Sequence, residues 1–269
     1  MYHKAIVTYM DILGFTTLIA QSRKNPDLIS KIQRDLTDLK AKTSQGGRIH
    51  RTATGDVEQI FHSYSFSDLT VRCTLIPENV DLGDYLAWEL MYVADMQMRL
   101  LRDRIFLRGG ICLDDIAVEP KEEIIFGSAL VKSYHLEKDY AVFPRVAIDR
   151  RLVFEAEKGI KYWSDHVHRG DDGTHFVDYL NGSAMVRYES MDFQESPADV
   201  FEAHRSIIVN KIENDNNGET PAPPRVRQKN MWLARYHNLS IQRFTRRMET
   251  LKVNIDLSSF LIEEKLLRF

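Results

Sequence analysis

An apolar run, Ala5-Ile6-Val7, leads through Tyr9 and Met10 to a lone carboxylate, Asp11. Beyond it come Gly14, Phe15 and two hydroxyl residues, Thr16 and Thr17, where an amphipathic helix begins. A short apolar run of this kind reads as a buried strand. A strand that stops at an acid and turns through glycine into a helix also makes a place for chemistry. The N–H groups of the turn and first helical turn face an anion, and the carboxylate offers a hard oxygen ligand to magnesium or manganese. The competing reading is an ordinary helix cap or turn residue.

The rest of the chain follows the same grammar. Residues 3–10 are expected as the first strand and 15–42 as a long helix, with Pro26 interrupting it or separating two helices. Thr43 to Gly55 is polar and glycine-containing, a loop. Val57 to Ile76 alternates in the manner of a hairpin, with Ser67-Asp68 as its tight turn. Asp84 to Arg104 is a strong helix pattern, and Ile105 to Leu113 a strand carrying Arg108-Gly109-Gly110. Asp114 to Lys121 reads as an acidic loop, 123–127 as a short strand and 128–139 as a helix. A strand is expected at 143–149, a helix at 151–158 and strand at 175–180. Helices at about 197–212 and 226–249 flank the polar stretch 213–224, and the last twenty residues suggest a closing helix. The order is α/β (α+β): a ferredoxin-like βαββαβ core with C-terminal helical additions.

That topology gives Asp68 its interest. The first strand runs up and the second runs up again, so the hairpin between strands two and three lies where strand one stops. Strand three pairs beside strand one, which brings Asp11 and Asp68 to one edge of the sheet. Two convergent carboxylates beside a glycine turn form a two-cation site for a triphosphate, with the Ile12 carbonyl as a further ligand. The plain alternative is that Asp68 only makes the turn. Thr54-Gly55-Asp56 looks like a rival hairpin acid, but it precedes a strand instead of joining two.

Bulk properties set limits. A chain of 269 residues with 43% hydrophobic content has enough apolar material for a sizeable core, and a net charge of −3 gives no whole-chain attraction to nucleic acid. No run of about 18 apolar residues predicts a membrane span. Cys73 and Cys112 lie in apolar, strand-like runs without ligand spacing, as buried thiols of a reducing cytoplasm do. The N-terminal apolar stretch, broken by Asp11 and Gly14, does not read as a signal peptide.

Asp11-Ile12-Leu13-Gly14-Phe15-Thr16 resembles the first metal motif of class III nucleotidyl cyclases, and Ser65-Phe66-Ser67-Asp68 sits where that family places its second metal aspartate. Arg108-Gly109-Gly110-Ile111 resembles its fourth core strand, and Phe126-Gly127-Ser128 to Glu137 the helix bearing its Asn and Arg. A closer likeness is to the pyrimidine nucleotide cyclases of bacterial Pycsar anti-phage systems. It is carried by the Ser-Phe-Ser-Asp hairpin, by Phe126-Gly127-x-Ala129-Leu130-Val131 with Tyr134-x-Leu136-Glu137 before Pro144-Arg145, and by Met231-Trp232-Leu233-x-x-Tyr236-x-Asn238. The likeness covers roughly residues 3–150 and the segment near 225–240.

The resemblance implies a homodimer with shared sites, two Mn2+ or Mg2+ ions per site, and conversion of UTP or CTP to the 3′,5′-cyclic monophosphate and pyrophosphate. The product, cUMP if the substrate is UTP, would signal to a separate effector in antiviral defence. Residues 1–195 would be the catalytic domain and 196–269 a helical extension packed on it. Asp11, Ile12 and Asp68 would hold metal, Asp11, Asp68 and Arg108 would be catalytic, and Ile12, Leu13, Gly14, Phe15, Thr16 and Tyr64 would contact substrate. Val131 and His135 stand at the family's Asn and Arg positions, Tyr64 replaces a purine-reading Lys, and that lysine's partner acid falls near Ile124. These departures argue against ATP. A purine cyclase and a silent nucleotide-binding module remain the alternatives.

Arg108 is expected at a phosphate or dimer interface, or else simply salt-bridged, with its glycines admitting a close backbone. Arg225, Arg227, Lys229 and Arg235 form a basic cluster that faces a triphosphate or coats a helix. His166, His168 and His175, with Asp165, Asp171 and Asp172, match no standard zinc spacing.

Overall fold

The computed structural model describes residues 1–42, 46–52, 55–159, 162–180, 196–217, 222–253 and 256–267. Its contacts divide the chain into two compact units, Met1–Val177 and Asp178–Phe269.

The first unit is built on one mixed sheet. Its strands are β1 (Tyr2–Ile12), β2 (Gly46–Thr52), β3 (Gly55–Phe66), β4 (Leu69–Leu75), β5 (Leu107–Glu119), β6 (Ile124–Phe126), β7 (Val146–Ile148), β8 (Val167–Arg169) and β9 (His175–Val177). They lie in the order β2-β3-β4-β1-β5-β7-β9-β8, with β6 paired to β5. Its helices are α1 (Phe15–Ser22), α2 (Pro26–Lys42), α3 (Leu82–Arg102), α4 (Ser128–His135) and α5 (Arg150–Ala156). The run β1, α1 and α2, β3, β4, α3, β5, with the antiparallel order β3-β4-β1-β5, is the ferredoxin-like arrangement expected from the sequence.

β1 is the central strand, and its composition shows why. Ala5, Ile6, Val7 and Thr8 are all fully buried, because helices cover both faces of the sheet. On one face Val7, Val71, Cys73, Cys112 and Ile116 form a cluster closed by Ala129 of α4. On the other, Thr8, Arg72 and Thr74 all reach Glu89 of α3. α3 starts at Asp81, whose carboxylate accepts from the Gly83 N–H at 2.7 Å, and it ends with Arg99 and Arg102 in its last turn. Both features suit the helix dipole. Leu86, Leu90 and Val93 are fully buried, so the long apolar stripe of this helix is core.

Several elements differ from the sequence expectation. Pro26 does separate two helices, with the Asn25 side chain accepting from the Asp27 N–H at the second start. The polar stretch expected as a loop contains β2, which pairs along β3 from Gly46↔Phe61 to Thr52↔Gly55. An edge strand takes its hydrogen bonds from one neighbour and needs little apolar content, so periodicity does not reveal it. The rival acid motif keeps only Gly55 and Asp56 within the described residues, at the far end of β3 from the hairpin turn.

The acidic loop expected after Leu113 is strand instead. β5 continues to Glu119 because it pairs with β1 from Ile12↔Leu107 to Tyr2↔Ala117 and its last residues pair with β6. The helix expected over 128–139 is α4 followed by a π-helical turn, Leu136–Tyr140. β8 was not anticipated. In the second unit α6 (Pro197–Asn217) and α7 (Pro224–Thr250) pack together, each longer than expected, and the closing helix is replaced by short 3-10 turns at Ser258–Phe260 and Glu264–Leu267.

Candidate active site

β1 ends at the candidate site and the β3–β4 hairpin arrives beside it. Pairing of β1 with β4 runs to Met10↔Thr70, which carries Asp11 past the end of β4 to the turn residues Ser67 and Asp68. Phe66↔Leu69 closes the hairpin around those two residues, and Ser67 takes the positive φ of 57° that so tight a turn requires. The Asp68 carboxyl lies close enough to Asp11 for the two acids to influence one another. Burial, and then Asp11, push the Asp68 carboxyl up to about 6. A like charge beside it disfavours the ionised form of Asp68.

The turn after Asp11 has the form read from the sequence. The Leu13 N–H donates to Phe106 O at 2.8 Å, fixing the chain before it bends. Gly14 has φ +81°, a left-handed conformation that favours glycine although space surrounds it. α1 starts without a side-chain cap. Thr17 and Leu18 donate back to the Gly14 carbonyl, and Thr16 is exposed in the first turn. Ile12 is buried and ends β1.

Arg108 sits directly across from Asp11 in the β1–β5 register. Its Nη2 and Nε donate to the same oxygen, Asp11 Oδ2, at 2.7 and 3.1 Å. Its Nε also lies 2.9 Å from Glu137 Oε1. The guanidinium therefore bridges an acid of β1 and an acid of the π-helical turn. β5 is paired on both sides, with β1 and with β7, so Arg108 is not at a sheet edge. Its neighbouring glycines do admit close backbones of the chain itself. A Cβ on Gly109 would lie 2.3 Å from Tyr9 O, and one on Gly110 would lie 2.3 Å from Ser133 O and 2.5 Å from Leu136 Cβ.

Glu137 is the residue the sequence reading quoted in a motif but gave no role. It is 4% exposed, and three features hold it there. Gly110 lets the π-helical turn settle on β5. Arg145, also buried, donates through Nη2 to the carbonyl of Tyr140, the turn's last residue, at 2.8 Å. Asp172 then pairs with Arg145, which holds the Asp172 carboxyl below its usual range despite some burial. Tyr9 packs edge-on against Tyr134 at 5.6 Å, and burial, then Glu137 and Asp11, raise its hydroxyl pKa.

Other candidates lie elsewhere. Tyr64 stands on β3, its hydroxyl raised by burial and then by Cys73, Glu119 and Glu123, not by the aspartate pair. Val131 is exposed on α4, and His135 is exposed there beside Asp139. His168 packs against Phe176 and Asp172 is engaged by Arg145. The basic cluster 225–235 lies along α7 in the second unit. A cleft of about 820 Å³ opens among Lys4, Asp114, Lys132, Arg150 and Phe154. Lys4 and Asp11 are about 23 Å apart along β1 at ~3.3 Å per residue. Lys132 there is engaged by Asp149, and more loosely by Asp114, so this cleft has no bare pair of acids.

The donor chemistry of the aspartate pair suits a hard divalent cation, since two carboxylates converge there. No group of three His, Cys, Asp or Glu side chains able to hold an ion occurs among the described residues. Backbone carbonyls, water or substrate oxygens would complete the shell. No described helix is long and apolar enough to cross a membrane.

Among solved structures, the adenylyl cyclase CyaB from P. aeruginosa is similar at 16% identity with a TM-score of 0.41, over 59% of this chain and 82% of that one. No protein-family model and no curated protein matches the chain.

Proposed function

We propose that the protein is a nucleotide cyclase that converts a pyrimidine triphosphate, UTP or CTP, to its 3′,5′-cyclic monophosphate. The observation that carries this reading is the meeting of Asp11 and Asp68 beside the Gly14 turn. The ribose 3′-oxygen attacks the α-phosphorus in line, the bond to the β-phosphate oxygen breaks, pyrophosphate leaves with the electron pair, and the hydroxyl proton passes to water. Asp11 and Asp68 would hold the divalent cations, Mn2+ or Mg2+, which would supply acidification of the attacking hydroxyl and neutralisation of the leaving group. Of the Ile12–Thr16 turn, the N–H groups of Gly14, Phe15 and Thr16 would donate to phosphate oxygens, the Leu13 N–H being held by Phe106 O. Arg108, partly exposed beside Asp11, adds a fixed positive charge where negative charge develops.

Pyrimidine preference follows from the family likeness and from Tyr64 in place of a purine-reading lysine. Exposed apolar side chains on the hairpin and on α4, Phe66 and Val131, favour a homodimer. The cyclic product then acts on a separate effector in antiviral defence.

Incubation with each of the four NTPs and manganese tests the reading. A cyclic product from UTP or CTP, lost in Asp68→Ala, is expected. Product from ATP or GTP alone would transfer the assignment to a purine cyclase. One observation favours a silent binding module: exposed Val131 and His135 offer nothing resembling the family's Asn and Arg pair. Tight NTP binding without turnover would establish that alternative.

A further inference from the structure

The bridge from Asp11 through Arg108 to Glu137 has a use that a simple salt bridge does not. Both Arg108 donors go to one Asp11 oxygen, Oδ2, and leave Oδ1 outside the fork. The same Nε stands 2.9 Å from Glu137 Oε1. Asp11 and Arg108 are each about a quarter exposed at the side chain, whereas the Glu137 side chain is 6% exposed. One end of the bridge is thus open to solutes and the other is fixed in the core. Gly110 and Arg145 fix it, through the π-helical turn that neither would need to support if Glu137 were a surface acid.

We propose that Arg108 is a built-in counter-ion of the site and that Glu137 is its positioning residue. The inference rests on the cation-binding reading of Asp11 and Asp68. Without a metal ion, Arg108 neutralises Asp11. When a cation is taken up, Arg108 gives up Oδ2 and stays on Glu137, still beside the substrate and now with its fork released toward phosphate oxygens. Glu137 therefore lowers the cost of freeing Asp11, because the guanidinium leaves one carboxylate without losing its last partner. A buried acid alone would keep Arg108 out of the site, and an exposed acid alone would let it block the metal.

The test is a manganese titration of the full chain without nucleotide, reading free ion by electron paramagnetic resonance. Arg108→Gln is expected to bind manganese about tenfold more tightly than the parent, because no guanidinium competes for Asp11. Glu137→Gln is expected to bind about fivefold more weakly, because Arg108 then depends on Asp11 alone. In Arg108→Gln the further change Glu137→Gln should have almost no effect. That non-additivity is the deciding result. A mere Coulombic influence of Glu137 on the ion would persist when Arg108 is gone, and additive effects would overturn the proposal. Thermal unfolding of each variant checks that it is folded. Should Glu137→Gln not fold, Arg108→Lys serves. It keeps the charge but presents one ammonium in place of the planar fork held on Asp11 Oδ2, so it competes less for that oxygen and is expected to bind manganese more tightly than the parent; parent-like affinity would overturn the bridge. Absence of manganese uptake by the parent would also overturn it. Cyclic product in the NTP assay would meanwhile leave the functional reading standing, so the two can fail separately.

Discussion

The central sheet carries an arginine among acids on each of its faces, and the two clusters are built to opposite ends. On the α3 face, Arg72 and Glu89 are 2% and 0% exposed. Glu89 Oε1 accepts from Thr8 at 2.7 Å, and Oε2 from Arg72 and Thr74, both at 2.9 Å. The guanidinium lies over the rings of Phe61 and Tyr92. One charge meets one charge, and every contact is dry. On the α4 face, Arg108 lies between Asp11 and Glu137, and Asp68 stands near Asp11 with its carboxyl raised to about 6. The first cluster is complete and therefore has nothing left to bind. The second has excess negative charge and some exposure, which is what a site for cations must look like before they arrive.

The largest effect expected from this contrast is on the complete cluster. Arg72→Met should destabilise the first unit by about 3–5 kcal/mol, because Glu89 stays buried without its cation. Urea unfolding would read it. Adding Glu89→Gln should restore most of the loss, since Thr8 and Thr74 can still bond a neutral side chain. In the incomplete cluster the signs reverse. Asp68→Asn should lower cyclase turnover by about 10²–10³ fold and leave the unfolding midpoint unchanged or raised. Substantial destabilisation by Asp68→Asn would mean that the acid is a structural turn residue, as the plain reading of the hairpin holds.

The contrast also explains what was legible in the sequence. Strand-to-turn placement of Asp11 and Asp68 could be read because period-two alternation fixes register, and register fixes which hairpin tip meets which strand end. Arg108 drew notice because a charge beside two glycines in a strand is unusual. Glu137 gave no comparable sign. A glutamate late in a helix ordinarily faces water, and only the close approach of Ser133 to Gly110, with Arg145 on the far side of the turn, puts it inside. The double glycine was the available clue. β2 and the second half of β5 were hidden for a different reason: Arg48, His50, Asp114 and Asp115 look like loop residues, and only pairing with β3 and β1 makes them strands.

Gly110 gives the next test. Gly110→Ala puts a methyl 2.3 Å from Ser133 O and 2.5 Å from Leu136 Cβ, so the π-helical turn must move away from β5. Overpacking of this kind costs about 1–3 kcal/mol. If Glu137 works through Arg108, turnover should fall further than the lost stability explains, at temperatures well below unfolding. Equal loss in stability and activity would reduce the turn to packing.

The smallest effect expected is also the most direct reading of the raised Asp68 carboxyl. The Asp68 carboxyl titrates at about 6 in the folded chain, against about 3.9 unfolded. Between those values the folded state holds more protons than the unfolded one, so stability falls as pH rises from about 4 to about 6 and levels off above. Asp68 is partly exposed, and screening should hold the effect to about 1 kcal/mol or less. Asp35, raised to about 7 by burial and by its bond to Asp103, adds a slope of the same sign that extends higher. The quantity to measure is therefore the difference in unfolding midpoint between the parent and Asp68→Asn, with chelator, across pH 4 to 7. That difference should move steadily against the parent as pH rises toward 6. Manganese should erase the trend by favouring the doubly ionised pair, so its stabilisation of the parent should grow over the same interval. A flat difference would show that the Asp68 carboxyl is not raised in the folded chain, and the complete and incomplete clusters would then differ in exposure alone.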